Sequence, residues 1–275
     1  MIEKSIHSSR GEIYYWIRKH SDPNARNIIF SPGLTADHRM FEKQVEYFQA
    51  DYTVISWDIP LHGKSRPYNS FTYENAAYEL KSILDNEFLK SAILIGQSMG
   101  GYVCQEFAIQ YPEMVDAFIG IGTTPFGLSY YSKSDRWWLR QVEPMAKWYP
   151  YNFLVKTIAK SATRTKYAYS NMMLMLSSYS KEELCRLIGI AYGDIFYRKE
   201  VVHFNFPVLL LVGEFDKTGK VIHYNKKWQE REKYLLKFIS NAAHNANVDN
   251  FEEVNKVIAN FLTGCNFHIS ELPNG

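Results

Sequence analysis

Short, nearly unbroken apolar runs alternate along the chain with stretches in which apolar residues recur every three or four positions. The runs at residues 27–30, 52–57, 92–95, 114–121 and 207–212 are dominated by aliphatic and aromatic side chains, as strands buried on both faces are. Helical spacing fills the intervals at 37–49, 73–88, 101–110 and 222–232. In a closing helix Phe251, Val254, Val257, Ile258, Phe261 and Leu262 form one apolar stripe. The first 19 residues read differently. Ile13, Tyr15 and Ile17 alternate with other residues after Ser9-Arg10-Gly11, which predicts an antiparallel hairpin closed off by Ser21-Asp22-Pro23-Asn24. Buried strands separated by helices predict an α/β chain with a mostly parallel sheet covered on both faces.

Residues 126–200 break that alternation. No buried strand is present, helical segments dominate, and Trp137, Trp138, Trp148, Met172, Met173 and Met175 crowd in. The sheet pattern resumes at 206–213 and continues through a strand at 234–239. The expected organisation is a core domain of 1–125 and 201–275, with 126–200 inserted as a helical cap over the carboxyl edge of the sheet. The tail after Gly264 is expected to pack loosely.

Composition narrows the function classes. The chain has 275 residues, 46% of them hydrophobic, enough for a full-sized core. A net charge of +2 argues against a nucleic-acid binder. Cys104, Cys185 and Cys265 are widely separated and odd in number, so neither a disulfide framework nor a structural metal site is indicated. The longest aliphatic run, 208–212, is too short to span a bilayer, and the amino terminus lacks a secretory apolar run. A soluble cytoplasmic protein is expected.

The candidate chemistry begins at Gly96-Gln97-Ser98-Met99-Gly100-Gly101, which follows the buried run 92–95 and opens a helix. Strand, sharp turn and helix together thrust Ser98 out at the carboxyl end of a strand, with helix amides aimed at it. A serine hydroxyl is a weak nucleophile at neutral pH and needs a base, which in turn needs an orienting carboxylate. Loops beyond the carboxyl ends of strands are where such groups sit in open α/β sheets. The loop after 207–212 offers Glu214 and Asp216, and the loop after 234–239 offers His244.

Order and motifs together resemble the α/β-hydrolase family over nearly the full chain. Gly96–Gly101 resembles its nucleophile elbow, Asp58 through Ser65 its Asp-x-x-Gly-x-Gly-x-Ser loop, and Gly213-Glu214-Phe215-Asp216 its acid loop. The resemblance implies Ser98 as nucleophile, His244 as general base and Asp216, rather than Glu214, as the carboxylate. It implies an oxyanion hole from the backbone N–H groups of Leu34 and Met99. The chain departs from the family at Pro32, where His is usual before Gly33, at Gln97 before the serine, and at Ala243 before His244. A serine at the elbow sets the chain apart from dehalogenases and epoxide hydrolases of this fold. His38 and His62 read as packing or turn residues, Asp58 as an acceptor for turn amides, Asp194 and Asp249 as weaker carboxylate candidates, and Cys104 as a core residue.

The insertion carries twelve Lys and Arg against six Asp and Glu. Arg136, Arg140, Lys147, Lys156, Lys160, Arg164 and Lys166 form either a solvated basic face or an attraction for an anionic substrate. Its aromatics and methionines form either an apolar acyl pocket or the insertion's own small core. The expected activity is hydrolysis of a small carboxylic ester or thioester through an acyl-enzyme on Ser98, without metal or organic cofactor. Two alternatives use the same residues: a C–C bond hydrolase or lyase, and a slow-turnover ligand receptor.

Overall fold

The computed structural model describes residues 1–265. Residues 266–275, most of the tail expected to pack loosely, lie outside the described residues, as does the side chain of Asp194. Among the described residues eight strands form one sheet: β1 (Ile2–Ser8), β2 (Gly11–Arg18), β3 (Asn27–Ser31), β4 (Thr53–Trp57), β5 (Ala92–Gln97), β6 (Val115–Ile121), β7 (Val208–Gly213) and β8 (Leu235–Ile239). Their order is β1-β2-β4-β3-β5-β6-β7-β8. β1 and β2 make the expected antiparallel hairpin, closed where Ser8 pairs with Gly11, and β2 joins the sheet antiparallel to β4. Every later pairing is parallel.

Register places the loops that carry the candidate residues side by side. Ser31 pairs with Gly96, Gln97 with Ile121, Ile121 with Leu211, and Gly213 with Ile239. The segments that leave β3, β5, β6, β7 and β8 therefore emerge level at one edge. β5 lies in the middle of the parallel part, and all six of its residues are buried. That explains its unbroken apolar sequence.

Outside the sheet, α1 (Glu42–Phe48) packs with α10 (Phe251–Gly264), and α2 (Tyr73–Asn86) packs with α3 (Met99–Gln110). α8 (Val221–Glu232) lies against β7 and β8, and α9 (Ala246–Asp249) is a single turn after β8. The α10 stripe works as its spacing predicts, with Val254, Ile258 and Leu262 buried. Between β6 and β7 the chain forms α4 (Lys133–Trp148), α5 (Tyr151–Ala162), α6 (Lys166–Leu176) and α7 (Lys181–Gly193). α4 packs on α7, α5 on α6, and α6 on α9. Ser132 and Asp135 form a reciprocal capping box that fixes the start of α4. Among the described residues no helix is long and apolar enough to cross a membrane.

The large apolar residues of the insertion divide in a way the sequence did not predict. Met172, Met175, Leu176, Leu184 and Ile188 are buried, yet Trp137, Trp138, Trp148 and Phe153 are exposed. The reason is the narrow inner stripe of α4, where Leu139, Val142 and Ala146 face the protein. The tryptophans stand on its other sides.

Candidate active site

Ser98 leaves β5 with φ 48° and ψ −115°, a conformation that costs a non-glycine residue on the order of 1–3 kcal/mol. Its N–H donates to the Ile121 carbonyl at 2.8 Å, anchoring the turn to β6. The flanking glycines are required by close approach. A Cβ at Gly100 would lie 2.0 Å from the Ser31 carbonyl oxygen, and one at Gly96 would lie 2.6 Å from the Gly101 backbone.

This turn presents the hydroxyl to an imidazole. His244 Nε2 lies 2.9 Å from Ser98 Oγ, and His244 Nδ1 lies 2.8 Å from Asp216 Oδ2. The Asp216 side chain is fully buried, and its other oxygen accepts the Thr218 N–H at 2.8 Å. An ionised carboxylate only accepts, so Nδ1 carries the proton and Nε2 is left as the acceptor for the serine O–H. Leu34 and Met99 line the same pocket. Met99 opens α3, where first-turn amides lack intrahelical partners. Among the described residues neither the Leu34 nor the Met99 N–H has a hydrogen-bond partner. The structure thus brings together all five residues singled out in the sequence.

The alternatives lie elsewhere. Glu214 accepts the Asn241 N–H at 3.3 Å on the exposed rim. Asp58 accepts from His38 N, His38 Nδ1 and Lys64 N, so it is an acceptor for turn amides. His38 stacks on Trp16 with ring centroids 3.3 Å apart. His62 is buried, with Nδ1 3.1 Å from the Pro60 carbonyl, and burial pulls its pKa down to about 4. Cys104 is buried in the core, and burial pushes its thiol up to about 12.

Two residues matter more than their sequence context suggested. Gln97, noted only as a departure from the usual histidine, donates to the His244 carbonyl at 3.1 Å and to Asn245 Oδ1 at 3.3 Å. Its carboxamide oxygen packs on Gly33, where any Cβ would lie 1.9 Å away. One buried amide therefore ties the Leu34 loop to the His244 loop. Asp249 accepts from Ala243 N at 2.9 Å, Arg164 N at 2.8 Å and Thr165 N at 2.9 Å, which joins the α5–α6 turn to the segment before His244. Gln97→Leu leaves buried partners without a donor and loosens both loops. Its kcat is expected to fall roughly 10–100-fold with KM nearly unchanged, and steady-state kinetics on a short aryl ester checks this.

Core and insertion share the pocket. Leu139, Ala191, Tyr192 and Ile195 come from the insertion, while Tyr102, Thr124, Thr218, Lys220 and Tyr224 come from the core. Its cavity volume is about 40 Å³. Tyr131 donates to the Pro125 carbonyl at 2.8 Å, which orders a chain in which Tyr102 donates to Thr124 at 2.7 Å and Thr124 to Tyr131 at 2.6 Å. Burial raises the pKa of all four lining tyrosines, 102, 131, 192 and 224, with Tyr192 pushed up to about 12, so none is a base near neutral pH. Lys220 is the only Lys or Arg among the described residues lining the pocket, and Asp135 holds it at 2.6 Å. None of the seven basic residues of the insertion weighed as substrate attractants lines it, because α4, α5 and α6 turn them away.

A parallel sheet with this strand order and a strained serine turn beside an imidazole and a carboxylate define a protein of the α/β-hydrolase class. Residues 26–251 match the model of the alpha/beta hydrolase fold family, and the chain belongs to that family. The chain is 27% identical over 261 residues to the AB hydrolase superfamily protein YisY of Bacillus subtilis, covering 86% of this chain and 92% of that one. It is 24% identical to 3-oxoadipate enol-lactonase 1 of Acinetobacter baylyi, covering 87% and 89%. Among solved structures, a thermophilic esterase from Thermogutta terrifontis superposes with a TM-score of 0.77 at 20% identity, covering 96% of this chain and 98% of that one. At that identity the likeness concerns the fold.

Proposed function

We propose that this hydrolase cleaves a small carboxylic ester or thioester through an acyl-enzyme on Ser98. The observation that carries the reading is the unbroken line Asp216–His244–Ser98, with links of 2.8 and 2.9 Å, ending beside two unpaired N–H groups. Ser98 Oγ attacks the carbonyl carbon while His244 Nε2 takes its proton and Asp216 stabilises the imidazolium. The tetrahedral oxyanion is received by the Leu34 and Met99 N–H groups, which together supply about 3–6 kcal/mol. Collapse expels the alcohol or thiol, which receives the proton from His244. Water, activated by the same imidazole, then releases the acid. These steps need only this chain's own residues and water.

The insertion at 126–200 acts in this reading as a cap domain, since α4 and α7 supply a wall of the pocket. The small cavity favours short acyl groups. Because Asp135 already neutralises Lys220, an anionic end group has to displace a carboxylate, and neutral esters are the better first substrates. The likeness to the enol-lactonase named above supports an ester bond as the one cleaved. A reducing, cytoplasmic setting is part of the reading, supported by the free thiols of Cys104, Cys185 and Cys265.

A fluorophosphonate tests the mechanism before any substrate is known. Phosphonylation is expected on the peptide that contains Ser98 and is expected to vanish in His244→Ala, where the hydroxyl remains but its base is gone. Labelling of a different serine, or none in a folded protein, overturns the reading.

A further inference from the structure

We propose that the outward face of α4, continued by the start of α5, docks on an anionic lipid membrane. The face is built from positions a helical turn apart. Lys133, Trp137, Arg140, Pro144, Lys147 and Trp148 point away from the Leu139–Val142–Ala146 stripe, and all six are exposed. Trp137 is 56% and Trp148 88% accessible, an unusual investment of large apolar area outside the core. Just beyond, Tyr149 and Phe153 stack with centroids 5.4 Å apart and are also exposed.

Charge identifies the partner. Residues 133–162 hold six Lys and Arg and only two acids, Asp135 and Glu143. Asp135 faces inward, held by Lys220 at 2.6 Å, and Glu143 is paired with Lys147 at 2.7 Å. The surface left over is cationic and aromatic. An indole with an apolar body and a polar N–H settles at the headgroup level of a bilayer, and Lys and Arg stems lie along apolar surface while their charges reach phosphate. A convex helix face that interleaves these two residue kinds matches an interfacial helix on anionic lipid. A peptide would need a groove. Contact of this kind is peripheral, in keeping with the lack of a membrane-crossing helix among the described residues.

The test uses the full-length protein and vesicles, and is read by flotation and tryptophan fluorescence. Binding to phosphatidylcholine vesicles that contain phosphatidylglycerol is expected, with a blue shift of the emission, and binding to pure phosphatidylcholine is expected to be far weaker. Lys133→Glu combined with Lys156→Glu is expected to lower the partition coefficient roughly thirtyfold, and Trp137→Ser with Trp148→Ser about tenfold or more. Both pairs lie on the surface, so the melting temperature should hold. Failure to bind phosphatidylglycerol vesicles, or equal binding by the variants, overturns the proposal. So does light scattering showing a dimer that the tryptophan variant converts to monomer, because the face would then be covered by a second copy of the chain.

Discussion

Ser98→Ala is expected to lower kcat toward a short-chain aryl ester by about 10⁴–10⁶-fold, with KM changed no more than about threefold. The expectation rests on what the substitution leaves in place. Alanine keeps the Cβ that occupies the φ 48° position, so the turn between β5 and α3 retains its shape and its bond to the Ile121 carbonyl. The Leu34 and Met99 N–H groups also remain. Only the proposed nucleophile is removed, and what is expected to survive is the modest acceleration from the proposed oxyanion donors and substrate positioning. A burst of alcohol release ahead of the steady state is expected in the natural protein and none in the variant. A variant that keeps more than about a tenth of the activity, with an unchanged melting temperature, would show that Ser98 is not the acylated residue.

Much of this geometry is legible in the sequence because it depends on local periods. Buried runs mark β3 through β7, and in a parallel sheet all their carboxyl ends lie on one edge. Ser98, Asp216 and His244 are then brought level by register alone, since Gln97 pairs beside Ile121 and Gly213 beside Ile239. The choice between Asp216 and Glu214 required the family resemblance, because both residues follow the same strand and period says nothing about which side chain turns inward. In the structure the backbone bond from Asp216 N to the Gly213 carbonyl curls the loop so that Asp216 is buried and Glu214 exposed.

What the sequence hides are contacts between segments that share no period. Gln97 belongs to a strand, yet its amide works on residues about 150 positions later. Asp249 sits in a one-turn helix and serves amides of the insertion. The insertion is the least legible part of the sequence. The tryptophans of α4 lie off the Leu139–Val142–Ala146 stripe and are larger than its residues, and only packing on α7 reveals that Leu139 faces in while Trp137 and Trp148 face out. The basic residues follow from the same orientation. Placed on outward positions, they cannot serve the pocket and instead give the insertion its surface character.

Asp216→Asn separates the proposed carboxylate from its neighbour with an effect nearly as large as loss of the nucleophile. An asparagine can accept the Thr218 N–H as the aspartate does, so the loop keeps its anchor, but its amide nitrogen can now donate to His244 Nδ1. A donor at that position favours the tautomer whose proton sits on Nε2, and such an imidazole cannot take the Ser98 proton. The imidazolium that forms during attack also loses its buried countercharge. The expected result is a fall in kcat of about 10³–10⁴-fold with KM little changed, measured on the same aryl ester. Glu214→Gln should stay within about twofold, because its carboxylate lies on the rim and touches only the Asn241 amide. If the two variants exchanged these outcomes, the carboxylate that orients His244 in solution would be Glu214, and the buried link at 2.8 Å would not be the one used in turnover.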